Sequence, residues 1–520
     1  MKKSNSILYI SLTLIFSFVV WGLTSPKSLE MTVNTIESFF TNQFGWLYLM
    51  GTTGFLVFLL YLAFSRFGSI KLGKDDEKPE FSKFTWFAFL FSAGTGIGLV
   101  FYGVAEPLIH FSNPPVEPSD QVDAANIAMR SAFFHYGLHA WAIFGTVALA
   151  SAYFNYRKNT TGLISGIFYP IFGDRVNGPL GKMIDILTVL ATTFGVATTF
   201  GFGTVQIGGG ISHLFPTIPN SITTYLCIIG FATVLYILSS QTGLKRGIKY
   251  FSQINMTLSI VLLLFVFVMG NPQFIMSLIS NSTSDYLQNL VGMSLFAGSF
   301  SEQSSLWVED WTIFYWAWYI SWAPYVGSFI ARVSKGRTIR EFVLGVIAAP
   351  TAFGIIWFST FGGTALSFDL FSEVGISQVM NTQGVEYAIF VLLDQFPLSF
   401  ASSLLAIVLL FTYFIASADS ATYVLGIQTT GNLNPSNKIK FIWGVIVSGV
   451  TSLLLWIGGL NALQTTLMIV ALPIVILMIL MNISLFKSLK EEEEVANSNN
   501  IRKFEKSNKS VPEQVASKYN

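Results

Sequence analysis

A single cysteine, Cys227, is the whole thiol complement of this 520-residue chain, and it falls inside an apolar stretch. A disulfide framework and a cysteine-based metal site are thereby excluded, and the residue reads as a small buried apolar side chain. Charge is scarce too: Asp, Glu, Lys and Arg make up 11% of the residues, against roughly a quarter in ordinary soluble domains. Histidine occurs four times, and the net charge of +1 says nothing about partners; no nucleic acid is expected among them. The chain also lacks a nucleophile beside a base. Its apolar stretches offer scattered serines, a histidine pair and Asp419, which is too little for an intramembrane enzyme.

Hydrocarbon is what the chain has in excess. Hydrophobic residues reach 52% and the mean hydropathy is +0.59, a balance that no soluble surface of this length can carry. A bilayer-spanning helix needs roughly 20 apolar residues. Twelve stretches qualify: 7–23, 46–64, 85–105, 131–153, 186–207, 222–239, 254–270, 312–331, 342–364, 397–418, 441–457 and 463–486. The first begins like a signal peptide with Met1, Lys2 and Lys3, but no small-residue cleavage site precedes Trp21 and Pro26. It reads as a retained helix, and the fold class as an all-α polytopic membrane protein.

Lys and Arg collect on the cytoplasmic side of short loops, which tests the count. Alternating from an inner N-terminus, the inner segments hold Lys2 and Lys3, Arg66 to Lys83, Arg157 to Lys182, Lys245 to Lys249, Arg332 to Arg340, Lys438 and Lys440, and the basic residues after Leu485. Of the 29 Lys and Arg, Lys27 and Arg130 alone fall outside, where the loops carry acids such as Glu117, Asp120, Asp369 and Asp394. Twelve spans with both termini cytoplasmic follow. The organisation is then an N-terminus (1–6), two peripheral helices (7–84), a five-helix run (85–270), an outer loop with an amphipathic helix (271–311), a second five-helix run (312–486) and a tail (487–520). That tail, with Glu491 to Glu494 and several lysines, reads as solvated and largely disordered.

Two stretches carry marks of discontinuity. In the third, Gly94, Gly96 and Gly98 alternate within Ser92-Ala93-Gly94-Thr95-Gly96-Ile97-Gly98, and each glycine weakens the helix and bares its backbone. Close helix packing is the duller explanation. A phosphate loop is excluded, because no Lys-Ser/Thr follows the glycines. In the eighth, Pro324 would free the carbonyl of Ile320. Interrupted helices in corresponding places of two halves point to a transporter's binding site, and two consecutive runs of five helices must have opposite orientations.

Aromatic rings concentrate at the same places. Phe314 to Tyr325 puts seven rings into twelve positions. Leu would serve as lipid anchor, whereas Trp and Tyr faces attract a cation. Phe314, Trp318, Trp322 and Tyr325 share one face of a continuous helix. In the fourth stretch Tyr136, Trp141 and Phe144 spread over an arc of about 140° at helical spacing, enough for a wall. His135 and His139 sit there at i, i+4, a metal-ligand spacing, but no Glu lies between them and no other His or Cys is near in sequence; hydrogen bonding to neighbouring helices or a proton relay fits them better.

At these residues the chain resembles the betaine/choline/carnitine transporter family over nearly its whole length. The matches are the G-x-G-x-G stretch followed by Phe101-Tyr102-Gly103-Val104-Ala105-Glu106-Pro107, the F-H-x-x-L-H-x-W stretch, the W-T-x-F-Y-W-A-W stretch continuing into Ile330-Ala331-Arg332 and Gly336 to Phe342, and Ser417-Ala418-Asp419-Ser420. The resemblance implies two inverted LeuT-like five-helix repeats behind two extra helices, a homotrimer in the lipid bilayer, and import of quaternary ammonium solutes, glycine betaine or choline, for osmoprotection. Its nearest look is to glycine betaine carriers; carnitine is an alternative, and a channel or pure osmosensor is the rival class.

By the same resemblance, Trp141, Phe314, Trp316, Trp318 and Trp322 line the substrate path or cage. Tyr136 and Tyr319 stand where Trp is usual, Tyr325 where Phe is usual and Phe144 where Tyr is usual, which redistributes hydroxyls and favours a hydroxylated or longer substrate. The Thr95 hydroxyl with freed backbone amides would receive its polar end. No cofactor is implied beyond a coupling ion, sodium or proton. One sodium site would use carbonyls of Ser92, Thr95 and Tyr413 and the hydroxyl of Ser417, but Ala416 stands where a Thr ligand is expected. A second would use Thr192, but Val196 replaces its partner. A hard cation wants several oxygens, so two sodium ions are not expected. For a proton the candidates are Asp419, His135 and His139.

Overall fold

The computed structural model describes residues 2–509 apart from Thr95, Thr161, Gly243, Glu373 and Leu433, and within that range the side chains outside 2–5, 91–94, 241–252 and 496–509. Among the described residues there is no strand, only an antiparallel bridge between Lys71 and Thr338. The helices that build the bundle begin with α1 (Lys2–Thr24), α2 (Pro26–Phe64), α3 (Lys83–Gly94), α4 (Ile97–Ser112), α5 (Gln121–Tyr136), α6 (Leu138–Ala152) and α7 (Pro179–Leu214). They continue with α8 (Ile222–Thr242), α9 (Leu244–Met269), α10 (Pro272–Ser294), α11 (Phe314–Val333), α12 (Ile339–Phe371), α13 (Ser399–Thr430) and α14 (Asn437–Lys509). Helix is the form a chain of this composition must take in lipid, because each backbone polar group finds its partner inside its own segment.

Eight helices among the described residues are long and apolar enough to cross a membrane, or nine if the pair 253–269 and Pro272–Ser294, bent by 106°, is one span. Each of the twelve expected stretches overlaps helical backbone, and the lower count has local causes. The third stretch is divided between α3 and α4. The eighth, α11, owes its rings to Trp and Tyr, which are only weakly apolar. The last two share α14, whose backbone leaves helical geometry at Gly458 (φ −148°, ψ 20°) and Gly459 (φ 63°, ψ −143°).

Pro324 does not break its helix: α11 runs through it from Phe314 to Val333, preceded by a π-helical segment at Val308–Ile313. Neighbouring helices let a membrane helix tolerate such a proline. The unforeseen interruption is at Gly137, which separates α5 from α6 with φ −96° and ψ −138°. A side chain there is sterically impossible without movement, since a Cβ would lie 2.3 Å from the Phe133 carbonyl oxygen and 2.7 Å from the Tyr286 hydroxyl. That hydroxyl, on α10, accepts the freed Leu138 N–H at 3.1 Å.

One end of the bundle gathers the basic segments. Arg157 Nε donates to Glu492 at 2.5 Å, and its Nη1 reaches Asp75 at 2.9 Å and the Gly73 carbonyl at 2.8 Å. Arg66 pairs with Glu493 at 2.7 Å and Lys335 with Glu77 at 2.6 Å; the Lys335 hydrogen bond holds the Glu77 carboxyl below the usual carboxylate range. As far as Lys509 the tail therefore departs from the expected solvated coil, its remainder lying outside the described residues: α14 continues past Lys487, Leu489 is fully buried, and Glu492 and Glu493 dock onto other segments. Acids that looked like a solvated run are counter-charges.

Candidate functional site

The third stretch opens where its glycines allow. α3 ends at Gly94, Gly96 is extended (φ −156°, ψ −167°), and α4 starts at Ile97 with no side-chain cap. The first amides of α4 therefore have no intrahelical acceptor and carry the positive end of the helix dipole. Gly98 is already helical, so the opened backbone is centred on Gly96 rather than spread over Gly94, Gly96 and Gly98. The expected role of Gly98 is replaced by another: a Cβ there would meet Cη2 of Trp318 at 2.8 Å, so glycine lets the indole approach the helix start. Thr95 lies outside the described residues, as does the side chain of Ser92.

A cavity lies against this opening. Tyr136, Trp141 and Phe144 form one wall, Trp318, Tyr319 and Trp322 another, and Gly96 to Leu99 the floor. Trp318 and Tyr319 stack at 6.3 Å and 10°, while other rings stand at steep angles. Tyr319 meets Phe144 at 5.5 Å and 84° and Tyr136 at 6.2 Å and 85°, while Trp141 meets Phe144 at 5.6 Å and 69°. Because α5 and α6 part at Gly137, this wall is not the single helical arc that spacing suggested. Among the described residues, no Asp, Glu, Lys or Arg lines the cavity.

Three expected members stand outside that lining. Phe314 stacks behind Trp318 (5.7 Å, 28°), Tyr325 packs edge-on against Trp322 (5.6 Å, 87°), and Trp316 faces away to stack on His139 (5.7 Å, 23°). Of the hydroxyls redistributed within the cage, that of Tyr136 donates to the Gly98 carbonyl at 3.1 Å. The Tyr319 hydroxyl and Trp322 Nε1 are buried without a hydrogen-bond partner among the described residues. Both residues line the cavity.

Thr199, Pro350, Phe353 and Gly354 also line the cavity and were not anticipated. Thr199 Oγ1 accepts the Trp318 Nε1–H at 2.9 Å, fixing that ring. Pro350, in the middle of an apolar stretch, was a legible signal; Thr199 among several threonines gave none. Glu106 was likewise passed over, although an acid inside a membrane stretch is a functional signal by default. It is fully buried and contacts His135 Nδ1 at 2.7 Å, His110 Nε2 at 3.1 Å and the Tyr315 hydroxyl at 2.5 Å. The neighbours that His135 lacks in sequence are thus supplied by another helix. His139 stands apart, bonded to Ser294 at 2.9 Å.

The ion candidates do not form a set that the structure displays. Thr192 Oγ1 is buried without a partner, Ser417 is half-buried on α13, and the Tyr413 hydroxyl meets Ser259 at 2.8 Å. Asp419 accepts from Ser239 at 3.0 Å.

An aromatic cavity without ionised lining, set against an interrupted helix inside an apolar bundle, defines a polytopic membrane protein built to enclose a small solute. The chain belongs to the BCCT, betaine/carnitine/choline family transporter group, whose family model matches residues 6–494. The glycine betaine transporter OpuD of Bacillus subtilis (strain 168) is 46% identical over 521 residues, with 100% of each chain covered. A probable glycine betaine transporter of Desulfitobacterium hafniense (strain Y51) is 44% identical, covering 94% of this chain and 98% of the relative. The ectoine/hydroxyectoine transporter of Virgibacillus pantothenticus is 42% identical over 95% of this chain and 99% of its own.

Proposed function

We propose that this protein is a secondary active importer of glycine betaine for osmoprotection, a carrier and not an enzyme. The observation that carries the reading is the pairing of cage and donors. Aromatic faces of Trp318, Tyr319, Trp322, Tyr136 and Trp141 surround a space fit for a trimethylammonium group, while Trp322 Nε1, the Tyr319 hydroxyl and the α4 amides supply donors for a carboxylate. Each desolvated cation–π contact contributes about 2 kcal/mol, so a few rings suffice for micromolar binding, about −8 kcal/mol, after ordering costs.

The uncharged lining discriminates between the candidate solutes. Choline is a net cation and would stay uncompensated, whereas a betaine brings its own counter-charge. Ectoine, also a net-neutral zwitterion, is the second reading, supported by the ectoine/hydroxyectoine relative.

Accumulation would draw on a sodium or proton gradient, with two inverted five-helix repeats rocking around the cavity. The odd number of spans in each run supports that inversion, and the charged cluster that joins the segments after α2, after α6, after α11 and along α14 at one end supports cytoplasmic termini and twelve spans. Family membership is what supports a homotrimer in the bacterial cytoplasmic membrane. Uptake of labelled glycine betaine into proteoliposomes, with choline and ectoine as competitors, is the test. No gradient-driven accumulation of glycine betaine would sink the reading; stronger competition by ectoine than by unlabelled betaine would favour the second.

A further inference from the structure

Glu106 sits behind the cavity with no Lys or Arg among its hydrogen-bond partners. Its Oε1 faces His110 Nε2 and His135 Nδ1, its Oε2 accepts the Tyr315 hydroxyl, and all four residues are fully buried. The remaining titratable groups nearby are engaged or turned elsewhere. Tyr102 offers its ring to Tyr315 at 5.6 Å, His139 bonds Ser294, Glu386 accepts from Asn220 at 2.8 Å, and Glu309 and Asp310 act on Glu37. Arg130, earlier on α5, lines the second cavity described below and is paired there with Asp285 at 3.2 Å. An ionised carboxylate taken out of water without a counter-charge costs several kcal/mol. A proton, held on the carboxyl or on a histidine, neutralises this cluster; the ligand atoms of Glu106, His110 and His135 also lie within 4.8 Å of one another, close enough to share a metal ion.

The cluster also lies on a continuous chain of polar atoms between two cavities. Toward the substrate cavity, the Tyr136 hydroxyl reaches the Tyr315 hydroxyl at 3.4 Å, and Tyr315 reaches Glu106. In the other direction His135 Nε2 meets Thr312 Oγ1 at 3.1 Å. Thr312 lines a second cavity together with Ser131, Trp307 and Pro115, and in that second wall Ser131 Oγ and Trp307 Nε1 are buried and unpartnered. Under the topology proposed above this is the outer side.

We infer that Glu106, His110 and His135 form a proton-binding site, loaded from the outer cavity through Thr312 and His135, that couples proton entry to the substrate cavity through Tyr315 and Tyr136. The inference rests on the carrier reading above and adds the coupling ion to it. The step is a proton transfer: one proton from the outer cavity adds to the cluster and leaves to the inner side in the transport cycle. As a carboxylate, Glu106 accepts from three donors. Once the carboxyl is protonated it becomes a donor and gives up acceptor capacity, so one of the three groups must turn away or, if a histidine, accept through its other tautomer. When that donor is Tyr315, the change reaches Tyr136, whose hydroxyl holds the Gly98 carbonyl at the start of α4.

The test uses the full chain in sodium-free proteoliposomes loaded with a pH-sensitive dye, with glycine betaine as the solute. The native protein is expected to acidify the lumen on betaine addition and to accumulate betaine down an inward proton gradient. Glu106→Gln should lose both and keep betaine counterflow at equal pH, which needs no net proton movement. Tyr315→Phe, which spares the carboxyl and cuts the chain, should lose gradient-driven accumulation in the same way and guards against a fold defect in the first variant. Glu106→Gln retaining substrate-linked acidification would overturn the inference, as would a native protein that accumulates betaine on a sodium gradient with no proton flux. Absence of counterflow in the native protein would instead overturn the carrier reading itself.

Discussion

Trp322 offers two chemistries to a zwitterion, and two substitutions separate them. Its indole face contributes to the cage, and its buried Nε1–H has no hydrogen-bond partner among the described residues. A hydrogen bond to a charged acceptor contributes about 1.5–3 kcal/mol, so Trp322→Phe, which keeps a ring and removes the donor, should weaken glycine betaine binding by roughly 10- to 150-fold. Choline has the ammonium without the carboxylate, and its weaker binding should be little changed by that substitution. Trp322→Leu removes the face as well, adding a loss of about 2 kcal/mol, and should weaken both solutes. Equilibrium binding of labelled betaine and choline to purified protein is the assay, and the quantity to read is the betaine-to-choline affinity ratio across the three proteins. Equal weakening of both solutes by Trp322→Phe would refute the assignment of the N–H to the carboxylate. Unchanged affinity in Trp322→Leu would refute the cage.

The helix breaks and the docked tail yield two further expectations. Gly137→Ala forces a Cβ to 2.7 Å from the Tyr286 hydroxyl and closer still to the Phe133 carbonyl, so it should destabilise the protein by about 1–3 kcal/mol as overpacking does; a thermal melt in detergent checks it, and an unchanged midpoint would count against the interrupted fourth stretch. Glu492→Ala removes the carboxylate that holds Arg157 and Tyr153 and should cost about 1.5–3 kcal/mol, together with faster tryptic cleavage at Lys487 and Lys490. Wild-type cleavage at those lysines as fast as in the variant would show that α14 is undocked there.

How far the residues alone carry can be followed at particular positions. The aromatic run of α11 and the glycines of the third stretch were legible because density and spacing are visible in one dimension. So was the charge pattern, because alternating sides is a counting rule. Gly137 was illegible: its role depends on Tyr286 arriving from α10, a contact across 149 positions of sequence that no local pattern records. Pro324 misled for the opposite reason, since its effect depends on what its neighbours supply. Glu492 and Glu493 looked like part of a solvated run because their counter-charges, Arg157 and Arg66, lie hundreds of residues away.

The sequence by itself determined the class of protein, the family resemblance, the apolar stretches and most of the cage, because hydropathy, aromatic density and charge asymmetry are sums over residues and do not depend on how the chain folds back. Tertiary structure decided which rings face the same space, turning Trp316 to His139 and leaving Trp318, Tyr319 and Trp322 together. It also decided that Glu106, paired with His110 one turn along its own helix, meets His135 and Tyr315 from other helices. A buried polar group is defined by what surrounds it in three dimensions, and the partners that make this carboxyl tolerable in an apolar bundle come from three different helices.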